Sequence, residues 1–254
     1  SAPAASYPAA YPDYISVAAI APDYTPAVYT NYGPGTTISA PGGDQDYYYA
    51  YGEGFNAGQA GCVLSTLPFH VTGTTDAEFS GYGYMEGTSM ACPHVSGVIA
   101  LGLSYAAQLR RHFTAEEFKA LIYETATPID SYMTGIKQYK RYVADLLESS
   151  PMQSLDMKDF KGGMGAGQIN AYALLKAIEG SGVEMTFPNL YVAVGGQTTV
   201  SPSMYMEGSS FTVSVSDSSV ATAEVVDGMV VVKGLKAGQT AATITGSRTD
   251  KFVI

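Results

Sequence analysis

Apolar residues are distributed in three different ways along the chain, and each predicts a different kind of element. In the first stretch they come in short runs. Ile15 to Ile20 reads Ile-Ser-Val-Ala-Ala-Ile between two Pro-Asp pairs, which predicts a buried strand. Thr37 to Ala40, closed by Pro41-Gly42-Gly43, predicts a second strand, and Cys62 to Thr66, ended by Pro68, a third. Residues 43–60 are rich in Tyr, Gly and Asp and are expected to form a surface loop. Tyr7-Pro8 and Tyr11-Pro12 precede the first strand and are candidates for cis peptide bonds.

From Ser89 to about Gln108 the apolar positions (Met90, Ala91, Val95, Val98, Ile99, Leu101, Leu103) go nearly all round a helix, which predicts a helix buried in the middle of a domain. Pro93 lies in its first turns, where a missing N–H is tolerated. Thr114-Ala115-Glu116-Glu117 is a capping box, opening a helix that ends near Thr125, before Pro128. A further helical pattern occupies residues 131–150, around Tyr139, Val143, Leu146 and Leu147. Asn170 is placed to cap a last helix over Ala171 to Glu179, with Gly180 beyond its end.

After Gly182 the pattern changes to alternation in a Val-, Thr- and Ser-rich stretch. Phe211 to Val215, Ala223 to Val226 and Met229 to Val232 predict strands, and Asp227-Gly228 is the tight turn of a hairpin. Lys251 to Ile254 predicts a closing strand. Residues 183–254 therefore read as a separate all-β domain.

Composition narrows the class. Of the 254 residues 46% are apolar, enough for a core, so global disorder is excluded. Charged residues are 14%, below the roughly 25% usual for soluble domains, and 20 Tyr and 28 Gly take their place, which suits an exported protein. The net charge of -10 argues against nucleic acid or an anionic membrane as partner. Lys137, Lys140 and Arg141 form the densest basic group and are expected on the solvated face of a helix. Cys62 and Cys92 are read as buried small hydrophobes, with a disulfide between them as the alternative. No run of 18 or more apolar residues predicts a membrane span. Ser1 to Ser6 lacks the regions of a signal peptide, so if the protein is exported its signal is expected upstream of residue 1.

The candidate chemistry centres on Ser89. A serine that cleaves amides needs an exposed hydroxyl, a base, a group orienting the base, and donors for the oxyanion. Gly87 permits a sharp turn, Ser89 opens a helix, and the helix N-terminus offers N–H groups and positive potential. The same residue would equally serve as a simple N-cap. Gly87-x-Ser89-x-Ala91 is also close to the nucleophile elbow of an esterase, but His94 and His112 follow too soon for that order.

Residues 87–97, Gly-Thr-Ser-Met-Ala-Cys-Pro-His-Val-Ser-Gly, resemble the active-serine motif of the subtilases, the subtilisin-like serine proteases. The stretches beginning at Tyr7, Asn31, Ser39, Val63 and Tyr84 are similar to the family's stretch before the serine, and Gly165 to Leu174 looks like its closing helix. The order agrees over about residues 6–179, with residues 130–160 as an insertion. The resemblance implies an α/β fold, a partial subtilisin-like parallel sheet with buried helices over residues 1–182, and Ser89 as the catalytic nucleophile acting on a polypeptide substrate. It also implies that Tyr7, Pro8 and Ala9 line the primary specificity pocket.

The resemblance exposes what the chain lacks. The family's Asp-Thr/Ser-Gly, His-Gly-Thr and Gly-Asn motifs do not occur. His70, His94 and His112 are expected to be structural or surface residues. The intact protein is therefore expected to be a serine endopeptidase, and this chain its C-terminal catalytic part, inactive until the missing N-terminal part joins it. A non-catalytic surface-binding or pseudoprotease fragment is the alternative. A sheet lacking strands is expected to expose apolar edges and to associate, swap or rearrange. No metal site and no cofactor are assigned. Calcium is left open, since Asp44, Asp46 and Glu53 lack the spacing of a known loop and read as a solvated acidic loop. Residues 183–254 resemble bacterial immunoglobulin-like domains of the group 2 type, a β-sandwich for spacing or adhesion or for packing on the protease. An extracellular or cell-surface location follows.

Overall fold

The computed structural model describes residues 2–51, 59–67, 81–141 and 151–254. Two compact units divide these, one of residues 1–102 and 118–177, the other of 103–117 and 178–254.

The first unit is built on two buried parallel strands, β1 (Val17–Ile20) and β2 (Ile38–Pro41), in register from Val17 opposite Ile38 to Ile20 opposite Pro41. Both are nearly fully buried, which is why they read as apolar runs rather than as alternation. Ser39 continues the pairing to Gln168 on its far side. Gln168 also pairs with Thr127, and that approach requires Gly167. Its φ is +121°, and a Cβ there would lie 2.2 Å from the Thr127 carbonyl oxygen. The other strands, β3 (Val63–Thr66) and β4 (Tyr82–Met85), form an antiparallel pair, so the parallel sheet is only two strands wide among the described residues. Leu64, Tyr82, Tyr84 and Met85 on this pair are exposed.

Several sequence expectations are corrected here. The supposed loop after Gly43 begins with helix α1 (Gln45–Tyr51), and Asp44 before it is fully buried. Glu53 and the rest of that stretch to residue 58 lie outside the described residues. The supposed helix over 131–150 contains instead β6 (Ile136–Tyr139), antiparallel to β7 (Gln153–Asp156). Its side chains alternate with period two, Lys137 inward and Ile136 outward. Val143, Leu146 and Leu147 fall outside the described residues. Lys137 is not on a solvated face but buried. Residues flanking this pair, Ile129, Met133, Met157, Phe160 and Met164, form a buried cluster with Ala18 and Ile20 of β1, and Leu155 of β7 packs against it.

Helix α2 (Thr88–Gln108) follows β4 directly. It was expected to be buried, yet Leu101 and Leu103 are half exposed, and over its first turns only Ala91 and Val95 are enclosed. An all-round apolar helix is enclosed only if neighbours surround it. By length and composition alone it would suffice to cross a membrane, a test that core helices also pass and that an unbroken apolar run did not anticipate. Cys92 is exposed and Cys62 half-buried, and no disulfide joins them. Cys62 lines a cavity with Pro41, Gly43, Gly61 and Val63 rather than being enclosed as a small hydrophobe.

Helix α3 (Ala115–Glu124) starts from the expected capping box. Glu117 N donates to Thr114 Oγ1 at 3.2 Å, and the Glu117 carboxylate accepts from Thr114 N at 2.7 Å. Helix α4 (Ala171–Glu179) is capped by Asn170, whose Oδ1 accepts from Ala173 N at 2.9 Å.

In the second unit β5 (Arg111–His112) pairs with β8 (Val183–Glu184). Six further strands form two antiparallel sheets. One has β11 (Ala221–Val226), β12 (Met229–Gly234) and β9 (Gln197–Val200) in that order, the other β10 (Thr212–Val215), β13 (Ala241–Thr245) and β14 (Thr249–Val253). Alternate residues, among them Val230, Val232, Ala242, Ile244 and Phe252, share one core with Phe187 and Met206. The β11–β12 hairpin turns at Asp227-Gly228, both with positive φ (50° and 76°), as a tight primed turn requires.

Candidate active site

Strand β4 delivers the chain to Glu86 and Gly87, and α2 begins there. Gly87 N donates to Gly42 O at 2.9 Å, and Gly87 O accepts from Met90 N at 3.0 Å and Ala91 N at 3.2 Å. Gly87 is therefore the residue that caps the helix, at a φ of +147° that favours glycine. Ser89 lies two residues further on, inside the first turn, so its hydroxyl is not the N-cap. It is exposed at the end of the helix where backbone N–H groups lack helical partners and the dipole favours negative charge.

No hydrogen bond joins Ser89 to a histidine among the described residues. His94 is exposed on α2, and its Nδ1 donates to Met90 O at 2.8 Å. His112 is on β5, in the second unit. His70 lies outside the described residues.

Tyr7-Pro8 is cis and Tyr11-Pro12 is not. The segment forms a tight turn, with Ala10 N donating to Ser6 O at 2.8 Å and Tyr11 N to Pro8 O at 3.1 Å. A cavity of about 210 Å³ is lined by Ser6, Ala9, Ser16, Tyr29, Asn31 and Thr88, among others. Of the three expected pocket residues, Ala9 thus shares a cavity with the start of α2. Tyr7 and Pro8 do not line it, and the Tyr7 ring is exposed against Tyr11, 4.9 Å between centroids.

Behind the serine turn lies a polar network that sequence reasoning missed. The Tyr29 hydroxyl reaches Gly42 O at 2.9 Å and Gly43 O at 2.8 Å. Gln45 N donates to the Glu86 carboxylate. Burial, with Asp46 and Asp44 adding to it, pushes the Glu86 carboxyl up to about 7 against the Gln45 hydrogen bond. Burial likewise raises the Cys62 thiol to about 11, with Glu86 and Asp44 assisting, so Cys62 is a protonated thiol at neutral pH and no nucleophile. Lys137 Nζ sits 2.6 Å from Asp44 Oδ2, their side chains 3% and 0% exposed. Burial raises the Asp44 carboxyl, while Lys137 and the Val28 N–H oppose that shift.

Among the described residues no group of three or more His, Cys, Asp or Glu is arranged to hold a metal ion.

A model of the subtilase family, peptidase S8, matches residues 2–167. The chain belongs to the subtilase family. Halolysin of Haloferax mediterranei is 38% identical over 111 residues, covering 42% of this chain and 16% of halolysin. An extracellular protease of Xanthomonas campestris pv. campestris is 38% identical over 101 residues, 40% of this chain and 14% of that protein. The major intracellular serine protease of Bacillus subtilis is 30% identical over 126 residues, 49% of this chain and 31% of that protein. This subtilase chain thus spans a minor part of the length of the curated relatives it matches. Among solved structures, the prenylagaramide maturation protease PagA aligns at 21% identity and a TM-score of 0.46, covering 71% of this chain and 47% of that one.

Asp44, Lys137 and Glu86 carried little signal.

Proposed function

We propose that this chain is the nucleophile-bearing part of a subtilisin-type serine endopeptidase, with Ser89 as the nucleophile. The observation that carries the reading is an exposed Ser89 in the first turn of an apolar helix, within the segment matched by the family model. Ser89 Oγ attacks the carbonyl carbon of a peptide bond and its proton passes to a base. The N–H groups at the start of α2 face the oxyanion that develops. The tetrahedral adduct collapses to an acyl-enzyme as the amine leaves with a proton, and water then releases the acid. No cofactor enters these steps.

The base, its orienting carboxylate and a side-chain oxyanion donor come from outside the motifs of this chain, so the partner is the remainder of the protease. The half-exposed apolar α2 and the exposed apolar side chains of β3 and β4 support that reading. Ala9, which ends the Tyr7-Pro8-Ala9 stretch, forms part of the wall of the pocket for the residue preceding the scissile bond, supported by the cavity that it shares with Thr88. Residues 1–182 constitute the catalytic part and residues 183–254 an immunoglobulin-like domain of the bacterial group 2 type, supported by two three-stranded antiparallel sheets on one core. The extracellular proteases among the relatives support secretion or surface display.

A second reading, a non-catalytic or pseudoprotease fragment, is favoured by the lack of any described histidine bonded to Ser89. Peptide hydrolysis by the native protease and its Ser89→Ala variant separates the two. A fall in kcat of about 10⁴-fold or more supports the nucleophile. Unchanged hydrolysis in the variant excludes it. The 254-residue chain alone is expected to hydrolyse nothing measurable.

A further inference from the structure

We propose that Lys137 is a positioning residue for Ser89: through Asp44 it fixes the Gly42–Gln45 segment, and that segment holds the turn on which Ser89 is mounted. Only the catalytic arm of this inference rests on the reading of Ser89 as nucleophile.

The segment grips the serine turn at two points. Gly42 O accepts from Gly87 N at 2.9 Å, and Gln45 N donates to the Glu86 carboxylate. Both residues immediately before α2 are therefore tied to it. The segment itself is held from the other side. The Tyr29 hydroxyl bonds the carbonyls of Gly42 and Gly43, and Asp44 Oδ2 accepts from Val28 N at 3.1 Å. Lys137 supplies the charge that makes the site complete. Its ammonium donates to Asp44 at 2.6 Å, to Thr25 Oγ1 at 2.8 Å and to Pro26 O at 2.8 Å, which uses all three of its protons. The same ammonium lies 4.4 Å from the centroid of the Tyr47 ring.

The pair does little for stability. Desolvating two charges roughly cancels their attraction, so a buried ion pair is a poor source of folding energy compared with apolar packing. What it does supply is a single geometry. Removing the ammonium takes away the group that opposes the burial of Asp44, so the side chain takes up a proton or moves toward water, and either change loosens its hold on the segment. The strands presenting Lys137 are flanked by Met133, Met157, Phe160 and Met164, which share a buried cluster with Ala18 and Ile20 of β1, and Leu155 of β7 packs against it. The residues that look like an insertion thus act as a clamp on the far side of the nucleophile turn.

Amide hydrogen exchange of the 254-residue chain tests the clamp. Lys137→Met is expected to speed exchange in the segment spanning residues 82–92 by about tenfold or more, with exchange in α4 unchanged. Lys137→Arg, which keeps the charge, is expected to restore protection to within about threefold. Should Lys137→Met fail to fold, Asp44→Asn is read in the same way. Equal loosening of α4 and the serine turn, or no change at the turn, overturns the inference. In the native protease Lys137→Met is expected to lower kcat about tenfold and to leave KM within about twofold. If Ser89→Ala abolishes hydrolysis while folded Lys137→Met keeps the wild-type kcat, the clamp is wrong and the nucleophile stands. If Ser89→Ala stays active, the nucleophile reading fails, and the exchange experiment still decides the clamp.

Discussion

The two units bury apolar side chains to different degrees. In the second, inward positions of β12, β13 and β14 alternate with outward ones, and Val230, Val232, Ala242 and Ile244 are almost wholly enclosed. In the first, the part of α2 up to Gly102 is apolar nearly all round, yet Leu101 remains half exposed. Strand alternation divides each segment into an inner and an outer face, so a few strands suffice to close a core. A helix with no polar face is satisfied only by neighbours on every side. The second unit closes a core with its own strands, whereas in the first the exposed side of α2 has no cover among the described residues.

The sharpest way to break this contrast is to remove apolar volume from each side of it. Ile244→Ala is expected to destabilise the second unit by about 2–5 kcal/mol, whereas Leu101→Ala in the isolated chain changes stability by about 0.5 kcal/mol or less. Denaturant melts of both variants check this, and a large loss at Leu101 would mean that α2 is already well covered.

A smaller effect is expected at Asp250, the charged residue on the inner face of β14. Burial pushes its carboxyl up, but Arg248 Nε at 2.9 Å and Phe187 N at 2.8 Å outweigh burial and hold it below the usual carboxylate range. Its stabilisation is complete above the ordinary carboxylate pKa and is lost as pH falls through the lowered value. Asp250→Asn is expected to cost about 1–3 kcal/mol at neutral pH and to flatten the acid limb of the melting profile.

The first unit carries the opposite pH signature. The Glu86 carboxyl rises from 4.5 to about 7 in the folded chain, chiefly through burial. Across that window the folded state binds more proton than the unfolded one. Stability from this group is therefore full below 4.5 and declines as pH rises through about 7. Glu86→Gln is expected to remove the decline, and an unaltered slope in melts from pH 4 to pH 8 would show that Glu86 is not its source. The smallest effect is at the hairpin turn, where Gly228→Ala, at a φ of 76°, costs about 1 kcal/mol.

How much of this could be read beforehand follows from whether each feature is local. The Thr114–Glu117 box, the Asn170 cap and the Asp227-Gly228 turn each lie within four neighbouring residues, and all three were legible. The serine turn was legible too, as one contiguous motif, although its glycine rather than its serine caps the helix. The Asp44–Lys137 pair was not. Its members are far apart in sequence, and each alone resembles an ordinary surface charge. The strand at Ile136–Tyr139 was masked for a related reason: Tyr139 fits a helical spacing with Val143 and Leu146, and only its pairing with Gln153–Asp156 decides otherwise. The exposure of α2 and Cys92 was also hidden, because an apolar pattern records what a helix needs around it rather than what this chain provides.

The central claim is that Ser89 is a nucleophile whose base lies outside this chain. Fluorophosphonate labelling, with the modified peptide mapped by mass spectrometry, tests it most directly. The native protease should label stoichiometrically on Ser89, and the 254-residue chain alone at a rate lower by about 10³-fold or more. Rapid labelling of Ser89 in the isolated chain would contradict the account by revealing a base within it, and labelling of the native protease at a residue other than Ser89 would contradict it outright.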